Sequence, residues 1–320
     1  MELKTLKKEI IKRMYLSKEI YLMAHSNIDL DAYASMVGFS LIAKKFRKAV
    51  YIVIDDEKIE SATSLALENT SKYVKIIKTE EAKKQKHEKS LLVVLDVNKP
   101  NLMSNENFIN EFKQIIIIDH HNITKETLNI DNLYVDQKST STCEIVSELL
   151  SSFRIRIPKT IATTMLGGIA LDTNNFTYKM TKKSFYYCYF LASEGADVQE
   201  AQLLLKQDLK EYVNRSKIVA NTKIEGEIAI ATGERTKKYT SQDLAKTADI
   251  LLSFKGIKNA FAIGKINKNE IGISARSLNK VNAGKLMEKF GGGGSSNEAA
   301  AKLDNKSIKE VEQEILKLLK

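Results

Sequence analysis

Four consecutive isoleucines, residues 115–118, constrain the fold of this chain more than any other stretch. An unbroken β-branched run is typical of a strand that is buried on both faces, as in a parallel sheet. The run ends in Asp119, His120 and His121, and polar groups at such a strand end indicate that something binds there. In open parallel α/β sheets, ligands bind beyond the carboxyl ends of the strands. The stretch therefore predicts a sheet of this class with a ligand site at its carboxyl rim.

Two further apolar runs end at residues that can bind a ligand. Residues 20–24 lead to His25, and residues 91–95 lead to Asp96. Helical patterns separate the apolar runs, and this alternation predicts a doubly wound, mainly parallel sheet. Because the carboxyl ends of parallel strands share one rim, we expect these side chains to meet those of the Asp-His-His stretch.

Imidazoles and carboxylates around these strand ends are candidate metal ligands. The six candidates are His25, Asp29, Asp31, Asp96, His120 and Asp172. A donor set without thiolates suits Mn²⁺ or Mg²⁺ better than structural zinc. Six ligands suit two ions that share a carboxylate, and we predict that Asp96 forms the bridge. Helix capping is the alternative for Asp29 and Asp31, but it does not explain His25.

Other polar groups are predicted to serve the substrate. Asp119 is expected to fix the ring of a neighbouring histidine, and His121 to donate to a phosphate oxygen or to assist the leaving group. Arg276 ends a later strand and offers a planar fork of donors that matches phosphate. A glycine run followed by Ser295 lets backbone N–H groups approach a phosphate, although a flexible linker is the alternative for such a run by itself. The glycines of this predicted cradle are Gly292, Gly293 and Gly294.

Several polar residues receive no part in the predicted site. We interpret Asp55 and Asp56, which follow the strand predicted at residues 50–54, as surface acids, and we assign no role to His87. The hydroxyl-rich segment 139–144 predicts an N-capped helix start. Phosphate binding is the alternative for that segment.

The chain of 320 residues exceeds the usual size of one hydrophobic core, so we expect two domains. Residues 1–185 are predicted to form the metal-binding domain, and residues 186–222 a helical connector. Residues 223–320 are predicted to form a smaller mixed α/β domain that carries Arg276 and the glycine run. A metal site on one domain and a phosphate cradle on the other predict a cleft between them.

Composition narrows the class of protein further. A hydrophobic content of 43% excludes disorder along the whole chain. The net charge of +10 is spread along the sequence and favours anionic partners, but without basic aromatic platforms we expect no stable nucleic-acid complex. Cys143 and Cys188 form no CxxC pattern and suit a reducing compartment. No apolar run reaches the about 20 residues of a membrane span, so we expect a cytoplasmic protein with no membrane segment.

The ordered motifs resemble those of the DHH phosphoesterase family and its associated second domain. The similar stretches are the H-x-x-x-D-x-D turn at His25, Asp96 after a strand, Asp119-His120-His121, Leu171-Asp172-Thr173, residues 273–277, and the glycine run with residues 298–300. Within the family, residues 96–100, 139–149 and 273–281 are most similar to the catalytic part of GdpP-type cyclic di-AMP phosphodiesterases. NrnA-type enzymes, which act on pApA, pAp and very short RNAs, share the metal motifs but fit these stretches less closely.

The resemblance implies an activity and a cofactor. It implies two manganese ions on the six ligands and a two-metal-activated water that hydrolyses cyclic di-AMP to pApA, with further hydrolysis to AMP left open. It also implies a homodimer. The sequence has no counterpart of the GdpP-type membrane helices and sensory domains, so anchoring and regulation do not carry over.

One position departs from the family pattern. The glycine run of the family normally ends in a histidine that meets the substrate phosphate, whereas Ser295 stands here. A hydroxyl donates a hydrogen bond but carries no charge near neutral pH. Two alternatives therefore remain, an NrnA-type hydrolase and a cyclic dinucleotide sensor that binds without cleaving.

Overall fold

The computed structural model describes residues 2–56, 59–206, 209–278 and 281–319. The chain divides into two compact units, Met1–Lys206 and Gln207–Lys320. The predicted connector, residues 186–222, falls on both sides of this division. No helix among the described residues is both long and apolar enough to cross a lipid bilayer.

The first unit is an α/β sheet with helices. Its strands are β1 (Glu19–Met23), β2 (Ala49–Val53), β3 (Lys75–Ile77), β4 (Leu91–Leu95), β5 (Gln114–Asp119) and β6 (Leu133–Val135). Its helices are α1 (Leu3–Leu16), α2 (Leu30–Lys45), α3 (Ser61–Thr70), α4 (Thr79–Gln85), α5 (Thr142–Ser152), α6 (Lys159–Asp172), α7 (Lys182–Ser193) and α8 (Val198–Leu204). Short 3₁₀ helices span Pro100–Leu102 and Glu106–Glu111.

The sheet of the first unit confirms the predicted parallel architecture. Its strand order is β3-β2-β1-β4-β5-β6, and each neighbouring pair is parallel. Strand β1 is buried on both faces: Ile20 and Leu22 pack into one hydrophobic cluster, and Tyr21 and Met23 into another. The chain winds outward in opposite directions from β1 and β4, so the topological switch point lies between these two strands. A ligand crevice is expected at the carboxyl ends of this pair.

Two elements of the first unit differ from the sequence prediction. Strand β3, at the edge of the sheet, lies within residues 57–88, a segment whose sequence predicts helix and loop. It has only three residues, too few for a recognisable alternation of apolar and polar positions. The sequence of residues 128–135 predicts an edge strand, and the structure confines that strand to Leu133–Val135.

The second unit is built around a mixed sheet, as predicted. Its strands are β7 (Thr222–Glu225), β8 (Ile228–Thr232), β9 (Asn259–Lys265), β10 (Glu270–Ser277), β11 (Gly293–Gly294) and β12 (Glu298–Asp304). Its helices are α9 (Leu209–Ala220), α10 (Ser241–Leu252), α11 (Ala283–Glu288) and α12 (Ile308–Leu319). The strand order is β11-β12-β10-β9-β8-β7, in which β8 and β9 are parallel and the other neighbours antiparallel.

The glycine run occupies a different setting from the one we expected. The sequence pattern predicts a helix before the run and another after it, but the run lies between helix α11 and strand β12. Gly291 has a φ of +71° just after α11, and Gly293 and Gly294 form β11 against β12. The Ala-rich segment Glu298–Asp304 forms strand β12 because it pairs with β10 on one side and with β11 on the other.

Candidate functional site

The loop after β1 presents His25 to the carboxyl rim of the first sheet. His25 forms an isolated antiparallel bridge with Met103, and the Ser26 N–H donates to the Leu102 carbonyl over 2.8 Å. The Nδ1 atom of His25 lies 2.8 Å from the Ser26 carbonyl oxygen. Because a carbonyl only accepts, Nδ1–H donates, and Nε2 faces the carboxylates of Asp29 and Asp96 at 3.6 and 3.5 Å.

Helix α2 begins at two of the predicted ligands. Asp29 is its N-cap and accepts a hydrogen bond from the Ala32 N–H over 2.9 Å, so the capping alternative describes part of its role. Asp31 lies in the first turn and is fully buried. Its two oxygens accept the backbone N–H groups of Thr142 and Cys143 at 2.7 and 2.9 Å.

Asp96 stands at the switch point directly after β4. Its φ of +64° places it in the left-handed region, which a non-glycine residue seldom adopts and which often marks functional positions. Its Oδ2 lies 3.5 Å from His25 Nε2, and its Oδ1 lies 3.4 Å from His120 Nε2. One carboxylate therefore faces two imidazoles that come from different loops.

The structure brings the six predicted ligands together in two groups. Within each group, one ligand atom of every member lies within 4.8 Å of the others. These groups are His25 with Asp29 and Asp96, and Asp31 with His120 and Asp172, while a third group joins Asp96 and His120 to Asp119 and His121. In the second group, His120 Nε2 lies 3.4 Å from Asp96 Oδ1 and 3.3 Å from Asp172 Oδ2. Their role as ligands stays a prediction.

The shifted pKa values of the cluster reflect burial and the close approach of several carboxyl groups. Burial raises the pKa of Asp31 well above its usual range, and the carboxylates of Asp172 and Asp96 raise it further. Burial also raises the pKa of Asp172 to about 6, against the opposing effect of His120. Burial alone would lower the pKa of His25, but the carboxylates beside it raise that pKa to about 12. Divalent cations would balance such a concentration of carboxylates.

The donor set fits hard or borderline divalent cations. His120 Nε2 is buried and has no hydrogen-bond partner among the described residues, although carboxylate oxygens lie near it. An imidazole nitrogen in this position is ready to bind a cation. Burial raises the pKa of the neighbouring Cys143 thiol well above its usual range, so no thiolate joins the set. Oxygen and imidazole donors without thiolate suit Mn²⁺ or Mg²⁺.

Asp119 holds the loop that carries the two adjacent histidines. Its Oδ1 accepts the backbone N–H groups of His120 and His121 at 2.8 and 3.2 Å. The same oxygen lies 2.8 Å from His121 Nδ1. Asp119 thus orients the ring of His121, whose side chain is 56% exposed and open to a ligand.

The predicted substrate residues of the second unit are engaged locally. Arg276 Nε lies 2.6 Å from an oxygen of Asp249, and its Nη1 donates to Ser274 and to a backbone carbonyl. A phosphate that binds Arg276 would have to share these hydrogen bonds or replace them. The hydroxyl oxygen of Ser295 accepts the N–H groups of Asn297 and Glu298. Ser295 therefore closes the turn between β11 and β12.

The glycines of the predicted cradle have a packing requirement of their own. A Cβ on Gly292 would lie 2.1 Å from the Ala300 oxygen, and one on Gly294 would lie 2.3 Å from the Glu298 oxygen. A Cβ on Gly293 would meet no atom within 4 Å. The close approach of β11 to β12 thus explains two of the glycines without a substrate.

Two side chains at the rim were missed by the sequence reasoning. Asp56, which we interpreted as a surface acid, accepts the N–H groups of Asn27 and Ile28 at 3.1 and 3.0 Å and braces the His25 loop. Its position after β2 at the same rim was the available signal. The hydroxyl of Thr142 donates to Asp96 Oδ1 over 2.8 Å, and the hydroxyl-rich helix start was the only signal for it.

Comparison with known proteins identifies the family. Residues 19–169 match the DHH family, N-terminal domain, and residues 225–320 match the DHHA1 domain. The cyclic-di-AMP phosphodiesterase GdpP of Geobacillus thermodenitrificans is 33% identical over 307 residues, which cover 93% of this chain and 47% of that protein. The chain thus spans about half the length of this relative.

Two further proteins bear on the function and on the fold. The bifunctional oligoribonuclease and PAP phosphatase NrnA of Mycoplasma genitalium is 29% identical over 225 residues, which cover 68% of this chain and 70% of that protein. An exopolyphosphatase-related protein from Bacteroides fragilis has the same fold, with a TM-score of 0.84, 19% identity, and coverage of 98% of this chain and 96% of that one.

The chain belongs to the DHH family, as its motifs predicted. The family match and the relatives named as phosphodiesterases support the predicted class, a metal-dependent hydrolase of phosphodiester bonds.

Proposed function

We propose that the chain is a manganese-dependent phosphodiesterase that hydrolyses cyclic di-AMP to pApA. The observation that carries the proposal is the position of Asp96, whose two oxygens face His25 and His120, members of two adjoining ligand groups. A carboxylate in this position is suited to bridge two cations.

The proposed division of labour follows from the geometry of the first unit. His25 and Asp29 would hold one cation, Asp31 and Asp172 with His120 would hold the other, and Asp96 would contact both. Bound cations supply an activated water and stabilise negative charge at phosphorus. Asp119 keeps the His121 ring oriented, so that the exposed imidazole can donate to a phosphate oxygen or to the leaving group.

The second unit is proposed to bind the phosphates of the substrate. Arg276 offers a guanidinium for this purpose, and the position that a Cβ of Gly293 would occupy has no atom within 4 Å, which leaves room for a phosphate beside the backbone. The Ser295 hydroxyl accepts two backbone N–H groups and keeps its own proton free to donate.

Cyclic di-AMP is proposed as the substrate because the GdpP relative aligns with 93% of the chain. A second candidate is an NrnA-type activity on pApA, pAp or short RNA, which the 29% identity to the Mycoplasma genitalium protein favours. The homodimer and the cytoplasmic location stay predictions.

Initial rates on cyclic di-AMP, pApA and a short oligoribonucleotide would test the proposal. With saturating Mn²⁺, we expect the highest kcat/KM on cyclic di-AMP and the appearance of pApA by chromatography. A higher kcat/KM on pApA or RNA would favour the second candidate. Tight binding of cyclic di-AMP with no product would instead identify a sensor.

A further inference from the structure

The first turn of α5 touches two of the predicted metal ligands at once. The Thr142 and Cys143 N–H groups donate to the two oxygens of Asp31. The Thr142 hydroxyl donates to Asp96 Oδ1 over 2.8 Å. Asp31 lies in the first turn of α2 and Asp96 directly after β4, so a single helix end fixes two separate segments.

The Asp96 carboxylate needs such a partner. The torsion that turns a carboxylate about its Cβ–Cγ bond has a broad, soft profile, so the side chain alone does not fix the plane of its oxygens. The plane matters here because Oδ1 must face His120 while Oδ2 faces His25. A hydrogen bond from a fixed hydroxyl to Oδ1 determines this plane.

Thr142 is well placed to hold that hydroxyl still. The residue is fully buried, and it is the first residue of α5, directly after the Ser141 N-cap. A threonine further along a helix commonly donates to the carbonyl four residues earlier, but at this position that carbonyl precedes the helix. Its hydroxyl is therefore available to Asp96.

The packing around the helix end keeps it close to the ligands. A Cβ on Gly168 of α6 would lie 2.7 Å from Cys143 Sγ and 3.1 Å from Asp31 Oδ1. The absence of a side chain at Gly168 thus lets α6 pack tightly against both α2 and α5. The start of α5 is therefore confined between α2 and α6.

We propose that Thr142 is a positioning residue that orients Asp96 for binding two cations, a role that rests on the proposed metal site. Its hydroxyl donates to Oδ1, and the helix end holds Asp31 at a set distance from Asp96. Loss of the hydroxyl leaves a buried carboxylate oxygen without this donor and frees the carboxylate to rotate. The cations are then bound less tightly.

The test is Mn²⁺ titration calorimetry, with metal analysis for stoichiometry, on Thr142→Val, Thr142→Ser and the control Thr164→Val. Thr164 is a buried threonine of α6 whose hydroxyl donates to the Thr160 carbonyl. We expect Thr142→Val to weaken Mn²⁺ binding about tenfold or more, as changes around metal ligands commonly do. Thr142→Ser, which keeps the hydroxyl, should restore the affinity, and Thr164→Val should leave it unchanged.

A merely structural role gives a different result. In that case Thr142→Val lowers the melting temperature of the metal-free protein but leaves the Mn²⁺ dissociation constants unchanged, and the proposal is overturned. If Thr142→Val does not fold, Thr142→Ala against Thr164→Ala serves the same comparison.

The outcome also separates this inference from the proposed reaction. Wild-type protein that binds Mn²⁺ but does not cleave cyclic di-AMP contradicts the proposed reaction, while the affinities still decide the role of Thr142. Wild-type protein that binds no Mn²⁺ overturns both.

Discussion

Some side chains at the carboxyl rim make contacts that the sequence around them did not indicate. The motif residues at His25, Asp96 and His120 could be selected from the sequence because each follows an apolar run. Asp56 also follows an apolar run, but its role and that of Thr142 depend on partners that lie 28 or more residues away in the chain. Such contacts depend on the packing of the elements, which a local pattern does not contain.

Asp56 offers a test of how the His25 loop is held. We expect Asp56→Ala to weaken Mn²⁺ binding severalfold, because the Asn27 and Ile28 N–H groups lose the carboxylate that fixes the turn. Asp55→Ala is the matched control, since Asp55 holds Thr79 at the start of α4. Equal Mn²⁺ affinity in the two variants, measured by calorimetry, would contradict this role for Asp56.

His87, to which we assigned no role from the sequence, contacts Glu19 at the start of β1. One oxygen of Glu19 lies 2.8 Å from His87 N, 3.0 Å from His87 Nδ1 and 2.8 Å from the Ser90 hydroxyl oxygen. Burial alone would raise the pKa of Glu19, but these donors lower it below its ordinary value. The charged carboxylate is therefore stabilised in the folded state.

We expect Glu19→Gln to lower the free energy of unfolding by about 1–3 kcal/mol near pH 7, because buried donors lose a charged acceptor. The stabilisation by Glu19 is complete above its ordinary pKa and is lost as the pH falls through the lowered folded-state pKa. The two proteins should thus begin to converge in stability once the pH falls below about 4. Urea unfolding across this range measures the difference.

The exposed Glu88, which pairs with Lys113, gives the control for this change. Glu88→Gln should change the unfolding free energy little at any pH, because solvent screens this exposed ion pair. A stability difference between wild type and Glu19→Gln that does not vary with pH would refute the linkage.

At the scale of elements, the long buried strands and amphipathic helices were predictable, and the short edge elements were not. The spacing of Leu6, Ile10 and Met14 predicts an amphipathic helix over about residues 3–16, and α1 spans Leu3–Leu16 with these three side chains buried. Strand β12 has an Ala-rich sequence that does not favour a strand and forms one through its neighbours in the sheet. The candidate ligands could be predicted where they directly follow a long apolar strand.

The β11–β12 pairing leads to a stability prediction for two adjacent glycines. Gly294 has a φ of +152°, and a Cβ there would clash with the Glu298 oxygen. We expect Gly294→Ala to destabilise the protein by about 2 kcal/mol or more. Gly293→Ala, with open space at its Cβ, should remain within about 0.5 kcal/mol of wild type. Equal losses in urea unfolding would contradict the described pairing.

The Gly293→Ala variant also tests whether the glycine run binds a substrate phosphate. If the Gly293 backbone approaches a substrate phosphate, an added methyl group should raise the KM for cyclic di-AMP while the stability stays unchanged. Steady-state kinetics on Gly293→Ala measure this directly. An unchanged KM would remove Gly293 from the proposed substrate contacts.

For the whole molecule, the central claim is that two cations share Asp96 at the switch point of the first sheet. The fold class and the family followed from the sequence because the motifs occur in a fixed order along strands that a parallel sheet must bring together. The proposed phosphate contacts of the substrate lie in the second unit, where Arg276 already contacts Asp249. The metal site therefore tests the claim more directly than substrate preference does.

The most direct measurement is the number of Mn²⁺ ions bound, together with Mn²⁺-dependent pApA release, in wild type, Asp96→Asn and the exposed control Asp131→Asn. Asp96→Asn should bind fewer Mn²⁺ ions than wild type and release no pApA, with an unchanged circular dichroism spectrum. Wild type and Asp131→Asn should both bind two ions and cleave cyclic di-AMP. Full Mn²⁺ binding and turnover by Asp96→Asn would contradict the shared carboxylate.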